Sequence, residues 1–382
     1  MYGLMKYEYT INIGNEIQSI ASRQFLPKID YYIDHEKLNE FDDDKNVKLI
    51  MNGFYLDDLN AWPPSKNIDP LLISMYFRTE DEFKKVIFSQ ESKNYLNEFG
   101  PVGCRDIHTE KLLNENGIDA YFSGCLTLTL NPGKKKNINE INNEYIVINC
   151  DNPNKIKSFL KNKTEKKIYI INQDFPPGFS KAFLHEIPKS LYNLTSYYSA
   201  DEKFFMAENL LKLYENASCV ITDRLHCALP CLALKTPVLL FNSRPVQQRF
   251  DGLNDLCLVS NFKDYERNYN IFNVDNPPEN SDKYLKLRKN LIKKCKNFTG
   301  HINESCYSVN EYSRIIENNM QLFSRQSEDT RNYIIDVLKT ADEYEKKIKK
   351  QEKIIKQQKD KINMMKNSKS WKITEPLRKI RK

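Results

Sequence analysis

The sequence predicts an α/β protein of two lobes, each organised on an open parallel sheet, followed by a helical extension at the C-terminal end. Three observations lead there. Short β-rich or apolar runs alternate with helical runs along residues 6–295. The apolar period is lost over Gly133–Asn143 (GKKKNINEINN) and then restarts, which marks a solvated linker. The 382 residues also exceed the roughly 250 at which single cores stop growing.

The predicted N-terminal lobe covers 1–132. Lys6–Ile11 alternates as a strand, Asn12-Ile13-Gly14-Asn15 turns, and Glu16–Phe25 reads as a helix. Strands are expected at Val47–Met51, Ile73–Phe77 and Asp119–Phe122, and Thr109 is placed to cap a helix through Asn116 that Gly117 closes. After the linker at 133–143, the C-terminal lobe covers 144–300. Tyr145–Asn149 and Lys167–Ile171 suit buried strands, with Ile156–Leu160 helical between them. Ser199 and Glu202 have capping-box spacing and open an amphipathic helix to Asn216. A βαβ unit follows: strand Cys219–Thr222, a turn at Asp223, a helix through Leu234 that Pro230 should kink, and strand Val238–Phe241.

Charged helical runs follow to Cys295 and over Ser308–Arg325, with 301–340 expected to pack on the lobes as helices. Within 341–366, Ala341, Ile348, Ile355 and Ile362 fall seven apart, with Tyr344, Gln351, Gln358 and Met365 at the second seam position. A solvated single helix and a dimeric coiled coil both satisfy that pattern. Residues 367–382 form a basic tail.

Charge narrows the partners. The net charge of +7 is concentrated: residues 343–382 carry 15 Lys/Arg against 5 Asp/Glu, which leaves −3 on the rest of the chain. A basic appendage on a mildly acidic body suits anionic lipid, a lipid-linked substrate or a partner protein, and argues against nucleic acid. Nine cysteines without a C-x-x-C point to buried thiols in a reducing interior. With no signal pattern and no apolar run of membrane-spanning length, the expected location is cytoplasmic, peripheral to a membrane at most.

In parallel sheets ligands sit outside the carboxyl ends of the strands, where helix N-termini favour anions. Arg224 and His226 stand at that rim, a guanidinium fork two residues from an imidazole able to move a proton. A structural alternative pairs Asp223 with Arg224 and leaves His226 as a core residue. Arg105 and Asp106 precede a second helix, either to reach a ligand or to brace the Thr109 cap. Gly14-Asn15 would let backbone approach an anion or a hydroxyl. Arg244 and Arg249 line the same pocket or lie on ordinary surface. Cys227 and Cys231, one helical turn apart with no second ligand pair, read as core rather than metal ligands.

Five runs in order, NIGNEIQSIAS, MNGFYLDDLNAWPP, GPVGCRDIHTEKLL, YFSGCLTLTL and VITDRLHCALPCLALKTPV, resemble the polysaccharide pyruvyl transferase family over about residues 9–260. The closing SWKITEPLR is similar to a short tail on bacterial glycan-building enzymes. The resemblance implies two Rossmann-like lobes of the glycosyltransferase B type. It also implies transfer of pyruvate from phosphoenolpyruvate onto two hydroxyls of a surface glycan, free or lipid-linked, as a cyclic ketal. No cofactor and no metal are implied beyond the phosphoenolpyruvate donor. The family's Arg-Leu-His motif falls on Arg224, Leu225 and His226, and its Arg-Asp motif on Arg105 and Asp106. Catalytic roles thus attach to His226, Arg224 and Asp106, and substrate contacts to Arg105, Arg224, Gly14, Asn15, Arg244 and Arg249. The family's Gly-Asp is here Gly14-Asn15, which removes a charge. A nucleotide-sugar glycosyltransferase of the same fold and a non-catalytic assembly protein remain the alternatives, and a homo-oligomer is compatible with each.

Overall fold

The computed structural model describes residues 1–8, 12–55, 59–132, 145–171, 173, 199–242, 248–307, 347 and 350–365. The chain forms two compact units, Met1–Val309 and Asn310–Lys382. The first unit holds two parallel sheets.

The N-terminal sheet has the order β2-β1-β3-β4-β5-β6, with β1 Tyr2–Lys6, β2 Tyr31–Asp34, β3 Val47–Tyr55, β4 Ile68–Phe77, β5 Val102–Cys104 and β6 Ala120–Phe122. The first strand lies upstream of the expected Lys6–Ile11, of which 9–11 fall outside the described residues. Its inner residues Gly3, Leu4 and Met5 are all buried, because a parallel sheet is covered on both faces and such strands do not alternate. Helix α1, Gly14–Arg23, buries Ile17, Ile20 and Ala21. Helices α2, Asp81–Ile87, and α3, Gln90–Glu98, follow β4, and α4, Ile107–Glu115, follows β5. The cap of α4 is Asp106, not Thr109. The Thr109 amide donates to one Asp106 carboxylate oxygen at 2.8 Å and its hydroxyl to the other at 3.0 Å. Gly117, at φ +79, supplies the left-handed turn after the helix.

The C-terminal sheet has the order β11-β10-β9-β7-β8, with β7 Tyr145–Asn149, β8 Lys167–Ile170, β9 Cys219–Thr222, β10 Val238–Phe241 and β11 Leu258–Ser260. Central strands β7, β9 and β10 are buried, but β8 is exposed at Tyr169 and Ile170, contrary to the expected buried strand. Its place at the sheet edge explains the difference, since only β7 flanks it. Helix α5 is Pro153–Leu160, α6 Ala200–Glu215, α7 Leu225–Leu234, α8 Phe262–Arg267 and α9 Leu285–Thr299. α6 opens with the expected capping box: the Glu202 amide donates to Ser199 Oγ, and Ser199 N donates to the Glu202 carboxylate at 2.7 Å.

The two lobes are joined through α1, α6 and α7. Arg23 on α1 pairs with Glu208 on α6, and Lys203 Nζ donates to the carbonyls of Tyr7 and Glu8 at 2.6 and 2.9 Å. α9 also returns to the N-terminal lobe, where Arg288 donates to the Leu130 carbonyl at 3.0 Å and Lys48 donates to the Phe298 carbonyl at 2.8 Å.

All nine cysteines are free thiols, seven of them buried. The linker at 133–143, the Ser308–Arg325 run and the tail at 367–382 lie outside the described residues, while 301–307 carry no helix. Residues 350–365 form an exposed helix. Replacing Ser199 by Ala removes one end of the capping box and should cost about 1 kcal/mol, read as a lower urea midpoint at unchanged slope.

Candidate functional site

Each sheet has a point where the strand order reverses, between β1 and β3 in the first and between β7 and β9 in the second. The crevice at the carboxyl ends of such strands is where open α/β sheets bind ligands. The candidate residues cluster at these two rims.

At the second rim Arg224 ends the strand-to-helix turn as the N-cap residue of α7, without a side-chain cap. Its guanidinium Nη2 donates to Asp151 Oδ1 at 2.6 Å, and its Nε lies 3.2 Å from Asp223 Oδ1. That second contact is close enough for charge attraction but too poorly aligned for a hydrogen bond, since Arg224 Nε counts as unbonded. Asp223 also accepts from the Asp151 amide at 2.9 Å, so the ends of β7 and β9 are stitched together across the reversal. The structural pairing of Asp223 with Arg224 is therefore present, and Asp151 doubles it.

His226 owes its position to Pro230. Proline has no N–H, and its ring crowds the carbonyl four residues earlier, which is that of His226. The break in α7 accordingly falls at His226 (φ −80, ψ 20), four residues before the proline, and the helix continues past Pro230 to Leu234. The freed His226 carbonyl accepts from Gln173 Nε2 at 2.9 Å, while the Gln173 carbonyl accepts from the Ile13 amide at 2.8 Å. Gln173 thus ties the start of α7 to the start of α1. Gly14 is the residue that permits the approach: a Cβ there would sit 3.2 Å from His226 Nδ1 and 2.9 Å from Asn12 Oδ1. Asn15 accepts at its side-chain oxygen from Gln18 at 3.4 Å.

Arg105, at the end of β5, is 3% exposed, and its guanidinium carbon lies 4.5 Å from the centre of the Tyr76 ring. Its Nε has no hydrogen-bond partner among the described residues. The neighbouring Asp106 is occupied by the α4 cap, so the two do not form the brace that their adjacency suggested. Tyr76 reaches this position past a bulge in β4, where Ile73 and Ser74 oppose the single residue Asn52 of β3. Arg249 is partly buried and Arg244 lies outside the described residues.

These cations govern His226. Burial first, then the charges of Arg105 and Arg249, hold its pKa well below the ordinary imidazole value, so it is neutral at pH 7 rather than titrating there. Its Nε2 is buried without a hydrogen-bond partner among the described residues. The structure thus gathers Arg105, Arg249 and His226 into one electrostatic neighbourhood with Gly14 packed against the imidazole, and the Arg224 guanidinium is engaged by Asp151 and Asp223. Nearby, Glu16 of α1 is buried with an unbonded Oε1. Desolvation pushes its pKa up to about 8 against the pull of Lys203. A cleft of about 380 Å³ opens beside Asp223 at this second rim, over the ends of β7, β9, β10 and β11, walled by Ile156, Phe241 and Phe262 with Asn152, Asn242 and Lys155.

Asp151, Gln173 and Tyr76 were not singled out in the sequence. Asp151 follows a recognised strand, and a proline four residues after a rim histidine signals a carbonyl in need of a donor. Tyr76 carried no signal, because its orientation depends on the bulge. Among the described residues no three His, Cys, Asp or Glu side chains converge as a metal site.

Glu16 makes a pH prediction. Its folded pKa is raised above the unfolded value, so the folded state holds the proton more tightly and stability falls as pH rises from about 4.5 to about 8. Glu16→Gln should flatten that fall in urea titrations, and an unchanged slope would contradict the assignment.

Comparison with known proteins adds a family. A model described as polysaccharide pyruvyl transferase matches residues 12–245, a span that includes Gly14, Arg105, Arg224 and His226. Among solved structures, a functionally uncharacterised protein from Klebsiella pneumoniae subsp. pneumoniae NTUH-K2044 is similar. It shares 13% identity, over 68% of this chain and 92% of its own, at a TM-score of 0.35. No curated protein matches the chain.

Proposed function

The chain belongs to the polysaccharide pyruvyl transferase family, and from that premise we propose that it transfers pyruvate from phosphoenolpyruvate to two hydroxyls of a glycan acceptor as a cyclic ketal. The observation that carries this reading is the buried Arg105, unbonded at Nε, beside a neutral His226 and the glycine-lined start of α1. A buried cation with open donor capacity is stabilised by a bound anion, and phosphoenolpyruvate brings a carboxylate and a phosphate together. Two lobes joined at helix N-termini also suit a glycosyltransferase B type arrangement, with reactants between the sheets. The nine free thiols fit a cytoplasmic setting.

In this reading Arg105 and Arg249 receive the donor's negative charge, and Gly14 lets the start of α1 pack against His226. The donor's negative charge offsets those two cations, the lesser cause of the depressed His226 pKa, and leaves burial, the larger cause, in place, so the pKa rises and proton uptake becomes more favourable when the donor binds. His226 then donates that proton to the methylene carbon as a sugar hydroxyl attacks the adjacent enol carbon. The attacking hydroxyl gives its proton to the departing phosphate oxygen as the C–O bond breaks and inorganic phosphate leaves, and the second hydroxyl closes the ketal and returns its proton to His226. Arg224, fixed by Asp151 and Asp223, holds the rim in place. Asp106 acts by fixing α4 behind Arg105.

Arg105→Met should lower phosphate release from phosphoenolpyruvate by roughly a hundredfold or more, in the range seen when a preorganised charge-stabilising donor is lost. Calorimetry of donor binding near pH 7 in buffers of different ionisation enthalpy should show proton uptake that His226→Asn abolishes. Phosphate release at the parent rate in Arg105→Met would overturn the assignment.

A nucleotide-sugar donor is the second reading, favoured by the cleft over β7, β9, β10 and β11, whose Phe241 and Phe262 walls and Lys155 suit a flat base with a phosphate. Thermal shifts separate the two, because a ligand that binds only the folded chain raises its melting temperature. A rise with phosphoenolpyruvate and none with nucleotide sugars supports the first reading, and the reverse supports the second.

A further inference from the structure

Residues 350–365 form a helix exposed along its whole length. At helical spacing, Ile354, Ile355, Ile362 and Met365 fall with Gln351 and Gln358 inside an arc of about 100°. The four apolar side chains are 45%, 50%, 49% and 58% exposed. Lys350 and Lys361 border the arc on one side and Lys359 borders it on the other. An apolar strip framed by ammonium groups on long flexible stems matches a bilayer surface, where the strip enters the acyl boundary and the stems reach the headgroups.

We propose that this helix docks flat on a membrane bearing anionic lipid. Charge selects that occupant over a second copy of the chain. Residues 343–382 carry a net charge of +10 while the remainder carries −3, so the tail alone is drawn to an anionic surface. Two copies paired along the same strip would bring two such segments together and place Gln351 and Gln358 in the seam, where a coiled coil wants apolar side chains. The same two glutamines interrupt the strip, which suits a helix lying in the interface rather than one crossing the bilayer. Each lysine near the surface adds attraction that decays within a Debye length, so the contact is strong at low salt and releasable. Such docking holds the chain beside substrates that live on the membrane.

The test is flotation of the full chain with vesicles of phosphatidylcholine alone and of equal parts phosphatidylcholine and phosphatidylglycerol, with light scattering of the chain without vesicles. The chain should float only with the anionic vesicles and be released at about 0.5 M salt, where the Debye length is about 4 Å. Ile355→Asp combined with Ile362→Asp should weaken that partitioning about tenfold or more, with the melting temperature unchanged because both side chains are exposed. Lys350→Glu combined with Lys361→Glu should weaken it comparably. Equal flotation with both vesicle types, or none with either, overturns the proposal. A dimer that the Ile355→Asp and Ile362→Asp changes dissolve, in a chain that does not float, assigns the strip to a second copy and overturns it as well.

Discussion

Pro230 cannot donate the hydrogen bond that a helix would return to the His226 carbonyl, and the rest of the site follows from how that carbonyl is satisfied. A buried carbonyl without a donor is costly, so Gln173 supplies one. Because the Gln173 backbone carbonyl takes the Ile13 amide, one residue bridges the start of α7 to the start of α1 and sets the separation of the two lobes at that point. The glycine at position 14 is the complement of this bridge, since any larger residue would press on the imidazole that the bridge has brought close.

Around that contact the positive charges divide into two kinds. Arg224 is balanced by Asp151 and Asp223, which makes it part of the frame that holds β7 and β9 together. Arg105 is buried over Tyr76 with an unbonded Nε, and Arg105 and Arg249 act together on His226. A protein interior does not keep a cation under-satisfied without cost, and the cost falls when an anion arrives. His226 stays neutral beside Arg105 and Arg249, held so first by its burial and then by those two charges.

Much of the architecture is visible in the residues. The βαβ unit from Cys219 to Phe241 has its period, its turn and its proline spacing in sequence, and the Ser199–Glu202 capping box is a local hydrogen-bond pattern. β1 lies off the expected Lys6–Ile11 and β5 shows no alternation because both are buried on both faces, whereas β2 is a four-residue edge strand, exposed at Tyr32 and too short for a period to show. β8 looked buried by composition, but its exposure follows from its rank in the sheet, which composition does not encode. Asp106 rather than Thr109 caps α4, a shift of three residues that turns on backbone dihedrals.

The sequence alone determined the α/β alternation, the family and the placing of Arg224 and His226 at a helix N-terminus, because all of these depend on neighbours within a few turns of chain. Only the tertiary structure decided which cation is balanced, which donor meets the His226 carbonyl and what charge His226 carries. Those depend on Asp151, Gln173, Tyr76 and Arg249, residues far apart in the chain whose fields and hydrogen bonds meet only once the two sheets have packed.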